Sequence, residues 1–328
     1  MVGYYTYKRN LKLFSLYSFT KALLTGIFSD IYFHKYIHPV KSIYLFLVSL
    51  FVNISVLCAK SGPKDLQNIK YGPGRQNTLD LYLPAKYNTV TPVIMLLHGG
   101  AWTIGGKEYT IKTAKDLRDR GFIVANVDYR FVSSSLHCKD LLTDIDNAYT
   151  CLQQQSQEYH FKNNNYHLAG ISAGAHLALL YGYTSTKLIN SITALCAPSR
   201  LDDAGMFKQL EKKGLLTTIE QLADAKYVPG KKASPTFTEV SPYSKVKAIP
   251  TLLFHGDKDD LVPFSQSQYL YQVLQQKKVV SKFIPMPGKG HDCGMNQPDS
   301  ENKVLGEIQA WVLNTTDHEN SFSFPTNP

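Results

Sequence analysis

Apolar residues follow two rhythms along most of the chain. From about Leu66 onward, short apolar runs alternate with longer stretches of helical spacing. Val93–Leu97 (VIMLL) and Phe122–Val127 (FIVANV) are brief and continuous, the pattern of strands buried on both faces. Thr78–Leu83 (TLDLYL) alternates polar and apolar, which predicts a strand with one exposed face. Tyr166–Ile171 (YHLAGI) predicts a strand leading straight into a small-residue helix, Ala173–Tyr183. Later strands are expected at Ser191–Cys196, Pro250–His255 and Ser281–Pro285. Helical spacing marks Lys107–Arg120, stopped by Gly121, then Asp140–Gln157, Ser265–Gln275 and Glu301–Leu313. Hairpin-like strands followed by strand–helix units imply an α/β protein with a mostly parallel sheet and helices on both faces.

Two regions depart from this rhythm. Residues 199–243 are charged, with scattered apolar positions and with Pro229, Gly230 and Pro235. They predict an insertion, either on the surface or as a small cap. Residues 318–328 are polar and predict a disordered tail. The catalytic domain is therefore expected over 62–317.

The first 61 residues carry a different signal. Ile43–Ala59 is an uncharged, mostly apolar run of 17 residues between Lys41 and Lys60. That length is long for a signal-peptide core and short for a spanning helix. Ala59-Lys60-Ser61 offers small residues where a signal peptidase cuts. A forty-residue lead before such a core is unusual, and a true start at Val40 would remove it. The competing reading is a membrane anchor with its basic end in the cytoplasm. Lipidation at Cys58 is the weakest reading, because Leu57 stands where a small residue is expected. All the main readings place the catalytic domain outside the cytoplasm, exported or membrane-attached.

Charge adds little to this. The chain is +9, and seven Lys/Arg against Asp30 alone put +6 of it within residues 1–61. The remainder shows no basic stripe with interleaved aromatics, so no nucleic-acid partner is expected. The five cysteines (Cys58, Cys138, Cys151, Cys196, Cys293) lack zinc-ligand spacing. Free thiols and one disulfide of unspecified pairing stand equal.

The chemistry concentrates in four segments. Gly170-Ile171-Ser172-Ala173-Gly174 fits G-x-S-x-G, with a strand before and a helix after. A serine on such a turn is pushed outward, and the helix N-terminus points its N–H groups at developing negative charge. His98-Gly99-Gly100-Ala101-Trp102 follows the VIMLL strand. Backbone N–H groups at Gly99 and Gly100, with that of Ala173, are candidates for an oxyanion hole. His98 is expected to hold the loop and Trp102 to pack the wall of the site.

Serine needs a base to become nucleophilic. Of ten histidines, His291 in a glycine-bounded loop after the last strand is the candidate. His176 is expected to be packed and His255 to brace the next loop. His137, His160 and His167 are expected in or near surface connections. His255-Gly256-Asp257-Lys258-Asp259-Asp260 offers three acids to orient the base, with Asp259 preferred and Asp257 and Asp260 left open. His291-Asp292-Cys293 would chelate one ion poorly, so no metal is expected.

These motifs, in this order, resemble the α/β-hydrolase esterase/lipase group. VDYR (Val127–Arg130), GISAGAHLA (Gly170–Ala178), HGDKDDLVP and GKGH add to the HGGAW segment. The likeness covers about Ile69–Leu313 and falls nearest the HGGxW branch, with its carboxylesterase, feruloyl-esterase-like and arylformamidase-like members. It implies the α/β-hydrolase fold, Ser172 as nucleophile, His291 as base and Asp259 as acid. It also implies an oxyanion hole from Gly99, Gly100 and Ala173, a small-molecule ester substrate and no cofactor. Ala101 departs from the commoner third glycine, the family's usual proline is missing near Ser133–Lys139, and residues 199–243 match only loosely. Amide or formamide hydrolysis on the same residues is the alternative. A non-catalytic binding protein is weaker, since no expected member of the triad is missing.

Overall fold

Strands form at the expected apolar runs, and one more, mostly polar and exposed, precedes them. The structure is a computed structural model that describes residues 62–316. It contains β1 (Lys64–Lys70), β2 (Thr78–Leu83), β3 (Val93–Leu97), β4 (Ile123–Val127), β5 (Tyr166–Ile171), β6 (Ile189–Leu195), β7 (Thr251–Gly256) and β8 (Ser281–Met286). They make one sheet in the order β1-β2-β4-β3-β5-β6-β7-β8. The β1–β2 and β2–β4 pairs are antiparallel, and every later pair is parallel. The expected lead segment and tail lie outside the described residues. Among the described residues, no helix is long and apolar enough to cross a membrane.

Both faces of the sheet are covered. On β3, Val93, Met95 and Leu97 enter the larger core, while Ile94 and Leu96 enter the smaller one. A continuous apolar run is what two covered faces require. β2 corrects the expectation of an exposed face, because all six of its residues are buried. Its polar members are matched rather than solvated. Asp80 pairs with the buried Lys107 ammonium at 2.9 Å, and its Oδ1 accepts the Asn68 N–H. Alternation in TLDLYL thus reports a buried ion pair.

The helices are α1 (Ile111–Asp119), α2 (Cys138–Tyr159), α3 (Ala173–Thr184), α4 (Ala204–Lys212), α5 (Leu216–Ala223), α6 (Pro235–Glu239), α7 (Ser265–Gln276) and α8 (Pro298–Thr316). α1 is shorter than its spacing suggests, since Lys107–Thr110 is a separate 3-10 turn. α2 starts two residues earlier than expected. His137 is extended there, and its N–H donates to Asp140 Oδ2 at 2.9 Å, closing the first turn. α3 is buried from Ala173 through Tyr183, so it has no polar face. Within 199–243, α4, α5 and α6 send Met206, Phe207, Ile219 and Phe237 into the larger core. Phe207 stacks on Tyr227 at 3.9 Å between ring centroids.

The parallel strands β3, β5, β6, β7 and β8 all end at one edge of the sheet. In α/β sheets, ligands bind outside these carboxyl ends. The loops after β3, β5, β7 and β8 carry His98–Trp102, Ser172, Asp259 and His291.

Candidate active site

Ser172 sits between β5 and α3 at φ 55°, ψ −119°. That backbone is strained for a residue with a Cβ, and the packing around the turn holds it there. The turn can pack tightly because Gly174 carries no side chain. A Cβ there would lie 2.3 Å from the carbonyl oxygens of Leu97 and His98. Gly174→Ala is therefore expected to destabilise the protein by about 1–3 kcal/mol or more. Urea denaturation checks this, and an unchanged midpoint would contradict the packing.

The loop after β3 lies directly against the serine. A Cβ on Gly99 would be 3.4 Å from the Ser172 Cβ. Gly100 has φ 124°, and a Cβ there would meet the Ile104 carbonyl oxygen at 2.0 Å, so the loop accepts only glycine. His98 anchors it, donating from Nδ1 to the Gly99 carbonyl at 2.6 Å and stacking on Tyr129 at 4.3 Å. The Tyr129 hydroxyl donates to the His98 carbonyl at 2.6 Å. Ala173 is the first residue of α3, where backbone N–H groups have no intrahelical acceptor. Gly99 and Ala173 thus lie against Ser172, and Gly100 follows in the same loop.

Three side chains distant in sequence meet here. Ser172 Oγ and His291 Nε2 are 2.8 Å apart, and His291 Nδ1 and Asp259 Oδ2 are 2.7 Å apart. An ionised Asp259 can only accept, so His291 carries its proton on Nδ1. Nε2 is left free to accept from the serine hydroxyl. Burial would raise the Asp259 carboxyl, but hydrogen bonds from His255 and His291 outweigh it. They hold it well below the usual carboxylate range. Its Oδ1 accepts the N–H groups of Leu261 and Val262, each at 2.9 Å. Asp257 instead accepts the Gly288 N–H, and exposed Asp260 pairs with Lys213. Neither reaches His291.

His255 does more than brace a loop. Its Nε2–H faces both the Val262 carbonyl at 3.0 Å and Asp259 Oδ2 at 3.1 Å, while Nδ1 accepts from the Ser267 hydroxyl at 2.7 Å. Two imidazoles therefore share one carboxylate oxygen. The only trace of this in the sequence is the four-residue spacing from His255 to Asp259. Cys196, His255 and Asp259 place potential ligand atoms within 4.8 Å of one another. Both nitrogens of His255 are already engaged, so a metal there would have to break these bonds.

Two more of the described histidines, His176 and His167, are structural. His176 is packed as expected, accepting from Trp102 Nε1 at 3.2 Å and donating to the Val240 carbonyl at 2.7 Å. Trp102 is itself buried. His167 corrects the expectation of a surface connection: it is buried in β5, bonded to Ser191 and Thr316. Burial lowers His176 to about 4 and His167 to about 3. Below pH 6.5 the unfolded chain takes up protons that these folded imidazoles refuse. Their stabilising effect is therefore full above that pH and falls as pH drops toward 4. Stability at pH 5 should be lower than at pH 7.5 by about 2 kcal/mol for each histidine. Urea unfolding at the two pH values measures it, and equal stabilities would contradict the burial.

A doubly covered, mostly parallel sheet with a serine at a strained strand-to-helix turn defines the α/β-hydrolase fold. Solved structures agree. Esterase B from Lactobacillus rhamnosis, with a tributyrin phosphonate inhibitor, superposes at TM-score 0.66 with 18% identity, covering 88% of this chain and 98% of that one. A truncated carbohydrate esterase from gut microbiota gives 0.64 at 18%, covering 79% and 98%. The chain belongs to the BD-FAE family, whose family model matches residues 79–274. A probable isoprenylcysteine alpha-carbonyl methylesterase from Oryza sativa subsp. japonica is 30% identical over 244 residues, 69% of this chain and 58% of that protein. Esterase LipQ of Mycobacterium tuberculosis is 26% identical over 250 residues, 68% and 56% of the two chains. The chain thus spans less than two thirds of the length of these curated relatives.

Proposed function

We propose that this chain is a serine hydrolase of small carboxylic esters that works through an acyl-enzyme. The observation that carries this is the unbroken hydrogen-bonded line from Ser172 through His291 to Asp259. His291 Nε2 takes the hydroxyl proton as Ser172 Oγ attacks the ester carbonyl. The N–H groups of Ala173 and of Gly99 or Gly100 receive the oxyanion. His291 then protonates the leaving alcohol, and the acyl group stays on Ser172. Water enters, gives a proton to His291 as its oxygen bonds the acyl carbon, and the acid leaves as Ser172 Oγ takes that proton back. Asp259 holds the Nδ1–H tautomer throughout. The esterase names of the relatives support this reading.

A second reading is formamide hydrolysis on the same residues. Kynurenine formamidase from Salmo salar is 29% identical over 122 residues, 37% of this chain. A panel of p-nitrophenyl and methyl esters, N-formyl aromatics and short peptides separates the two. Ester turnover with fluorophosphonate labelling of Ser172 is the expected result. Turnover of formamides alone would favour the second reading, and no turnover or labelling would overturn both. The apolar run Ile43–Ala59 supports placing the enzyme outside the cytoplasm, cleaved or anchored. Mass spectrometry of the mature N-terminus tests this, since peptides from residues 1–39 would overturn a start at Val40.

A further inference from the structure

Two thiols from distant parts of the chain meet beside this site. Cys196 follows β6 directly, with its N–H on the Phe254 carbonyl at 2.9 Å. Cys293 lies two residues after His291, with its N–H on the Gly290 carbonyl at 3.1 Å. Both are fully buried, and their sulfurs are 3.1 Å apart. Cys196 Sγ is also within 4.8 Å of ligand atoms of His255 and Asp259. Cys138 and Cys151, both on α2, make no sulfur–sulfur contact among the described residues.

We propose that Cys196 and Cys293 are a disulfide-forming pair, a covalent clip that ties the histidine loop to the end of β6. A disulfide needs sulfurs about 2.05 Å apart, so the pair must close by about 1 Å. Closure requires side-chain rotation, with any backbone adjustment taken up by the turn. Cys293 sits in the turn 291–296, between His291 and α8, so it can yield more easily than the strand end. The clip would restrain this turn two residues from the base.

The oxidant is a small-molecule disulfide such as oxidised glutathione. One protein thiolate attacks it, breaking its S–S bond and releasing one half as a thiol. The second protein thiolate then displaces the other half from the mixed disulfide. The protein loses two protons and two electrons, and the oxidant gains them as two thiols. Contact with Cys293, then burial, pushes the Cys196 thiol up, so little thiolate exists while the turn is shut. The bond therefore forms while the turn is open, during folding, and is shielded from reductant afterwards. The alternative is two reduced thiols packed as small apolar side chains. The pairing does not rest on ester hydrolysis and is tested without a substrate.

The full chain is incubated in moderate urea with either oxidised glutathione or a phosphine reductant. Urea is then removed, free thiols are alkylated under denaturing conditions, and trypsin is added. Cys196 falls in the peptide 188–200, Cys293 in 290–303, and Cys138 and Cys151 in two others. The oxidised sample should yield 188–200 joined to 290–303, and the reduced sample both peptides separately alkylated. The oxidised protein should melt roughly 5 °C or more above the reduced protein. Cys293→Ala should abolish that difference. Recovery of both peptides alkylated after oxidation, or a different pairing of Cys196, would overturn the proposal. A redox shift that persists in Cys293→Ala would overturn it as well. The wild-type peptide map decides the matter even if the variant does not fold.

Discussion

Replacing Ser172 with alanine is expected to lower kcat for p-nitrophenyl acetate by at least about 10⁴-fold. The loss should appear in kcat, because alanine leaves the loop after β3 and the first turn of α3 in place to bind the ester. Without Oγ, no acyl-enzyme can form, and His291 has no hydroxyl at 2.8 Å to deprotonate. A small residual rate from oxyanion stabilisation alone would persist. The variant should fold as well as the parent, since alanine keeps the same Cβ at this positive φ and removes only Oγ. Burst kinetics on the two proteins give the comparison. Equal steady-state rates would remove Ser172 from the reaction.

Asp259→Asn should reduce kcat by about 10³–10⁴-fold, by a different route. Asp259 Oδ1 accepts two backbone N–H groups, so the amide oxygen of asparagine must occupy that side. The NH₂ group is then forced toward His291 and His255, where the wild-type oxygen accepts from both. A donor now faces two donors. His291 can answer by moving its proton to Nε2, which leaves nothing to accept the serine hydrogen. His255 is held on Nδ1 by the Ser267 hydroxyl and adapts less easily. Steady-state rates with a thermal melt on the same sample separate catalytic loss from unfolding. A loss below tenfold in a folded variant would contradict the proposed role of Asp259.

Much of this arrangement was legible in the sequence because each part follows from local pattern. Continuous apolar runs gave β3 and β4, and glycines around Ser172 marked a turn between a strand and a helix. What stayed hidden is set by pairing across long separations. TLDLYL suggested a wet face because sequence cannot show Lys107 arriving to pair with Asp80. His167 looked like a connector because its partners, Ser191 and Thr316, lie 24 and 149 residues away. His255 was placed near the acid, but its bond to the carboxylate depends on how the loop after β7 folds back. Among three neighbouring aspartates, spacing alone left the choice open. The structure separates them by partner: a backbone N–H for Asp257, a lysine for Asp260 and two imidazoles for Asp259.

Strand order also dictates when competence can arise. On the proposed assignment, serine and oxyanion donors are synthesised by residue 173, whereas acid and base arrive only with 259 and 291. On the proposed roles, a nascent polypeptide displays the nucleophile for about 120 residues before the base follows β8, so it stays chemically idle until that loop emerges.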